Sequence, residues 1–153
     1  MKLEKANRSH LQRAALDLSS SDWEEMERIE PGRNPVEVLA IAADDPTIHH
    51  ISDHLGNVLA VGGHAECFIW FVHTKHAEAL EPGGKRQMLK LLKGHLRRIK
   101  QAVALDRPDD FFHFTNIVSM DNHAHVKLLT HLGAAWCDTE RTINGHIFKQ
   151  FYF

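Results

Sequence analysis

The chain has 153 residues, 43% hydrophobic and 25% charged, with a formal net charge of −2. This length and composition suit one globular domain, residues 1–153, with room for a sizeable core. The near-neutral balance gives no overall pull toward nucleic acid or an anionic membrane. No apolar run approaches the roughly 20 residues that a bilayer span requires. The opening MKLEKANRSH lacks the apolar core of a secretory signal. Cys67 and Cys137 each sit in an apolar run, which reads as buried, reduced thiols rather than a disulfide framework. A soluble, intracellular chain is expected.

In chain order, Met1 to Ala6 reads as a short edge strand. Ser9 can cap a helix through Leu18, and Ser21 or Asp22 a second, with Glu24 and Glu25 in the first turn where the helix dipole favours negative charge. Pro31, Gly32 and Pro35 punctuate, and Val36 to Ala43 is a short apolar helix. Ile48 to His54 alternates weakly, LGN at 55–57 turns the chain, and Val58 to Gly62 is a strand. Glu66 to Thr74 is apolar on both faces, so it is expected in the middle of a sheet. Gly83 and Gly84 lead a helix from about Lys85 to Leu105, with Met88, Leu92, Leu96, Ile99 and Val103 as its buried stripe. Phe111 to Met120 is a buried strand and Asn122 to Leu132 a helix. Two last strands, Ala135 to Thr142 and His146 to Phe153, are joined by an Asn144-Gly145 turn.

This order predicts an α/β (α+β) domain: a central mixed sheet with helices on both faces. A glycine pair opening a helix after a central strand can offer backbone N–H groups to an anion, or it can simply end a flexible loop.

Three segments carry a resemblance: GNVLAVGGH running into CFIWFVHT, the GG-led basic helix, and NHAHVKLLTHLGA. Together they resemble the Gcn5-related N-acetyltransferase (GNAT), or acyl-CoA N-acyltransferase, fold. More closely, VGGH, IWFVHT, GGKRQMLKLLKGHLRR, VSMDN and THLGAAW are similar to the internal virion protein A group of short-tailed phages. The likeness runs from about residue 55 to the end.

The resemblance implies acetyl-CoA as cofactor and no metal. In active members of the fold, acetyl-CoA lies in a V-shaped gap between two splayed strands, and its pyrophosphate sits on the following helix N-terminus. Carried over by motif, the cofactor would meet Val72, His73 and Thr74 on the strand, Gly83, Gly84, Lys85 and Arg86 at the helix, and Asn122. Glu66, His64 and His73 stand near the place of a base. The plainer account is a solvated strand end for Glu66 and a backbone-bonded polar residue for His73.

Departures from the pattern accompany these matches. EALEPGGKR lacks the leading Arg or Gln of the family's pyrophosphate motif, and Pro82 stands where its first Gly belongs, with no N–H to offer. The family's Tyr, which protonates the departing thiolate, falls on Leu129, and the chain's one tyrosine is Tyr152.

The 13 histidines suggest metal, but their spacing makes no zinc motif. His123 and His125 point about 200° apart on a helix. Scattered surface histidines are the expectation. Seven Lys or Arg lie between Lys85 and Lys100 with no acid among them. They suit a CoA phosphate, DNA or an acidic partner, but a solvated helix face is the commoner meaning. Nucleic acid is disfavoured, because no aromatics interleave.

The leading expectation is a non-enzymatic phage protein with a degenerate acetyl-CoA site. It would act in virion assembly or infection with a phage or host protein as partner, in the host cytoplasm or the virion. A self-pairing last strand, IFKQFYF, would allow a homo-oligomer. The alternative is an active N-acetyltransferase acting on a protein or small amine. An inhibitor of a host defence system also stays open.

Overall fold

The computed structural model describes residues 1–108 and 111–153. Strand β1 (Lys2–Lys5) leads to helices α1 (Arg8–Leu16), α2 (Ser20–Ile29) and α3 (Pro35–Ala40). Strands β2 (His49–Ser52), β3 (Val58–Ala65) and β4 (Phe68–His73) follow, then a single turn α4 (Lys75–Glu78) and the long α5 (Pro82–Asp106). Strand β5 (Thr115–Ser119), helix α6 (His123–Leu132), and strands β6 (Ala135–Ile143) and β7 (His146–Tyr152) complete the chain.

The strands form one sheet in the order β1-β2-β3-β4-β5-β7-β6, with β4 in the middle as its two apolar faces require. Every neighbouring pair is antiparallel except β4 and β5. On one face, Leu11 and Ala14 of α1 and Leu39 of α3 pack on Val61 and Val72. On the other, the stripe of α5 does as its spacing predicts. Met88 and Leu92 join Ile51 and Leu59, while Leu96, Ile99 and Val103 join Phe114, Leu129 and Phe151. No described helix is long and apolar enough to cross a membrane.

Helix starts differ from expectation by a few residues, because other side chains win the cap. Asn7, not Ser9, caps α1 in a reciprocal box with His10. Ser19, not Ser21 or Asp22, accepts from the Asp22 N–H and caps α2. Asp22 is thereby moved one turn inside the helix, where it is buried. Helix α5 begins at Pro82 rather than Lys85, since proline's fixed φ suits the first helical position.

Other expectations need correcting. Glu66 does not open β4. It lies exposed in the β3–β4 turn with φ of 52°. Cys67, in the same turn, and Cys137, on the edge strand β6, are free and only half-buried. Strand β7 is paired on both sides, with β5 and β6, so its edges are not available to a second copy; the free edge on that side is β6. Asn144 and Gly145, both with positive φ, make the hairpin turn between β6 and β7 as expected.

Candidate functional site

The parallel pair at the sheet centre is barely a pair. Strands β4 and β5 share one register position, Phe68 opposite Thr115, and the Asn116 amide donates to the Ile69 carbonyl at 2.8 Å. Beyond that point β4 stays with β3 and β5 with β7, so the two splay apart. Between them lies a cavity of about 170 Å³, floored by Trp70, Phe71 and Val118. Asp22, Glu25 and Met26 close it from α2, His125 and Leu129 from α6.

The far end of β4 is already occupied. The segment before α2 bridges it at Leu18 and Thr74. The Ser19 N–H donates to the His73 carbonyl at 2.9 Å, and the Lys75 N–H to the Asp17 carbonyl at 2.8 Å. The His73 N–H donates to Asp22 Oδ2 at 2.5 Å. Both main-chain groups of His73 therefore bond within the protein. The Thr74 N–H is taken by the Leu59 carbonyl and its hydroxyl by the Val58 carbonyl.

Four polar side chains meet beside this junction. Asp22 and Glu25 are three residues apart on α2, and Asn122 and His125 three apart at the start of α6, so each pair presents one helix face to the other. Asn122 caps α6 by accepting the His125 N–H at 3.1 Å. Its amide donates to Glu25 and approaches Asp22 Oδ1 at 3.4 Å and His125 Nδ1 at 3.1 Å. His125 Nδ1 stands 3.3 Å from Asp22 Oδ1 and 3.6 Å from Glu25 Oε2. His73 Nδ1 stands 3.7 Å from Asp22 Oδ2. Asp22, His73, Asn122 and His125 are all buried.

The two imidazoles titrate in opposite directions. Burial disfavours charge on both. His73 has its neighbour His125 adding to that, and only Asp22 against it, so its pKa falls to about 4. At His125 burial is outweighed by Asp22 and Glu25 together, and its pKa rises above 6.5. The arrangement can hold a proton on His125 beside a neutral His73.

The other sequence-derived positions lie apart from this cluster. Glu81 is the N-cap residue of α5, without capping through its side chain, and Pro82 is its first helical residue. Gly83, Lys85 and Arg86 are exposed around that turn, while Gly84 lies against the Leu80 side chain. Leu129, at the position of the resembled family's tyrosine, is 2% exposed and packs with Phe114 and Phe151. Val72 lines the cavity of the gap, while Thr74 is fully buried with its hydroxyl on the Val58 carbonyl. Thus the structure brings His73 and Asn122 together, but not Glu66 or the α5 glycines with them. Sequence reading treated Asp22 only as a cap and His125 as one of many surface histidines. His50, His73 and His125 are in fact buried. The paired i, i+3 spacing of Asp22/Glu25 and Asn122/His125 was the available signal.

A mixed sheet splayed at its parallel pair, with helices on both faces, defines a GNAT-fold protein, and solved structures bear this out. A GNAT-family acetyltransferase from Bacillus cereus matches with a TM-score of 0.60 at 8% identity, covering 99% of this chain and 95% of that one. The GNAT domain of S. lividans PAT matches with a TM-score of 0.60 at 10% identity, covering 99% and 89%. A chimera of spermidine N-acetyltransferase SpeG from Vibrio cholerae and hSSAT matches with a TM-score of 0.57 at 14% identity, covering 100% and 95%. At such identities the likeness establishes the fold alone. No curated protein matches the sequence. Residues 50–141 match the family described as Bacteriophage T7, probable scaffold protein Gp13, and the chain belongs to that family. It is a phage protein built on a GNAT fold.

Proposed function

We propose that the protein is a non-enzymatic component of phage assembly, using the GNAT frame as a protein-binding scaffold in the host cytoplasm or within the virion. The description of its family as a probable scaffold protein supports this. The observation that carries it is the bonded end of β4 at His73. An extended ligand such as pantetheine binds a strand by its free N–H and C=O groups, and at His73 these are spent on Asp22 and Ser19.

The residues at α5 do not suit acetyl-CoA either. Pro82 removes one of the N–H donors that a helix start offers an anion, and Glu81 sets a carboxylate at the positive end of the dipole. The amide of Asn122 is directed at Asp22, Glu25 and His125. On this reading the acetyl-CoA site is degenerate, and a phage or host protein is the partner.

One observation favours a second reading, an acetyl-CoA-dependent N-acetyltransferase. The splay of β4 from β5 leaves an apolar gap of the right kind at the sheet centre. There Val72, His73, Thr74, Gly83, Gly84, Lys85, Arg86 and Asn122 would hold the cofactor, and His73 or Glu66 would take the proton.

Replacing the gene in the phage separates the two. The scaffold reading expects loss of the protein to lower the yield of infectious particles, and Gly83→Glu to leave that yield unchanged. An added Cβ at Gly83 meets nothing within 4 Å, so the variant introduces only a charge where a phosphate would sit. A Gly83→Glu phage as defective as the deletion, with the protein still folded, would contradict it.

A further inference from the structure

We propose that Asp22, His73 and His125 form a site for a divalent transition-metal ion, with Zn²⁺ as its first candidate, at the inner end of the gap. Each offers one donor atom, and the three atoms lie within 4.8 Å of one another. No other group of this kind occurs among the described residues.

The separations approach those of a coordination sphere. With metal–ligand bonds of about 2.0–2.1 Å, a tetrahedral site has ligand–ligand edges of about 3.3–3.4 Å. Asp22 meets His125 Nδ1 with Oδ1 at 3.3 Å and His73 Nδ1 with Oδ2 at 3.7 Å, so a small turn of the carboxylate brings one oxygen to both. Glu25 Oε2, 3.6 Å from His125 Nδ1, stands ready as a fourth ligand. Small shifts close such a shell, and two imidazoles with carboxylate oxygens suit zinc and its neighbours rather than Ca²⁺ or Mg²⁺.

Charge balance points the same way. Asp22 and Glu25 bring two carboxylates to a largely buried place, and among the described residues no Lys or Arg pairs with either, so without an ion a protonated His125 sets one positive charge against two negative ones. Buried carboxylates need paired charge or a metal. Two neutral imidazoles, two carboxylates and a dication sum to zero. The Asn122 amide directs its N–H groups at these same acceptors, and a bound ion would take its place on His125 Nδ1, whose single lone pair serves one partner. The Nε2 atoms of both histidines are buried without a partner. No hydrogen bond there fixes either tautomer, so both rings can take the form that leaves Nδ1 free to coordinate. A bound ion would pin α2, β4 and α6 across the gap, a staple for a scaffold rather than a place for a thioester.

The test uses the full chain, stripped with a chelator and titrated with Zn²⁺ alone, then with Co²⁺. The expected result is one equivalent bound, a chelator-reversible rise in Tm, and the strong visible bands of tetrahedral Co²⁺. Imidazole ¹⁵N NMR of the unmutated protein should move two Nδ1 signals on zinc addition. Asp22→Asn and His125→Gln should each weaken binding by at least about tenfold. His95→Gln, at a ring that packs on His49 rather than on the cluster, should not. No stoichiometric uptake would overturn the proposal, as would uptake that shifts imidazole signals other than those of His73 and His125. Uptake unchanged in folded Asp22→Asn would do the same.

Discussion

Asp22 Oδ1 and His125 Nδ1 face each other at 3.3 Å across the gap between α2 and α6, both side chains buried. Each belongs to a helix start, and each is placed there by another residue's cap: Ser19 for Asp22, Asn122 for His125. Caps thus set the polar centre of the protein. Removing His125 leaves Asp22 buried with hydrogen bonds from His73 and Asn122 but without its charged partner, and breaking a buried pair typically costs about 3–5 kcal/mol. His125→Leu should lower unfolding free energy by that order in urea titration. A loss under about 1 kcal/mol, the range of an exposed pair, would mean that Asp22 is solvated.

Acid should destabilise the contact of α5 with β2. His95 of α5 packs against the His49 ring, centroids 4.5 Å apart. Burial first, then the charges of His49, Arg98, His64 and Lys5, push its pKa down to about 4. His49 and His64 are also lowered, each chiefly by burial. The unfolded chain takes up these protons near pH 6.5, the folded chain at lower pH. Their contribution is therefore complete above pH 6.5 and is lost as pH falls toward 4. Tm should drop across that window, and His95→Gln should flatten the drop. The same slope in the variant would assign the effect elsewhere.

Two glycines on this scaffold should respond oppositely to alanine. A Cβ on Gly62 would stand 2.6 Å from the Phe71 Cβ and from the Trp70 carbonyl oxygen, so β3 and β4 would have to part. Gly62→Ala should cost about 1–3 kcal/mol by overpacking. Gly94, inside α5, has nothing within 4 Å of its added Cβ, and Gly94→Ala should stabilise by about 0.5–1 kcal/mol through helix propensity. Thermal melts of the two variants decide both.

Much of the fold was legible because its signals are local. The two-faced apolar run IWFV marked the central strand, the stripe from Met88 to Val103 marked α5, and Asn-Gly marked the last hairpin. The resemblance then supplied the GNAT architecture. The site was less legible because its partners are distant in sequence. Asp22 meets Asn122 across 100 positions, and nothing local distinguishes a buried His125 from an exposed His123. Strand β7 was misplaced at an edge because strand order is a long-range property that a strand's own residues do not encode. Glu66 was misread because a left-handed turn residue looks, in sequence, like the start of the strand after it.

Restoring the resembled family's tyrosine should not restore chemistry. Leu129 is 2% exposed and is packed among Phe114, Val118 and Phe151, so a bulkier phenol there must displace these neighbours or fill the gap. Leu129→Tyr should cost about 1–3 kcal/mol and confer no acetyl transfer. Denaturation and an acetyl-CoA hydrolysis assay read the two halves separately.

The most direct measurement is calorimetric titration of acetyl-CoA into the purified protein, with Asn122→Ala and Gly83→Glu beside it. The scaffold account predicts no saturable heat at about millimolar ligand, because the edge of β4 at His73 is already bonded to Ser19 and Asp22. Saturable binding at about micromolar ligand, lost in Asn122→Ala and Gly83→Glu, would contradict it and put the acetyltransferase reading in its place.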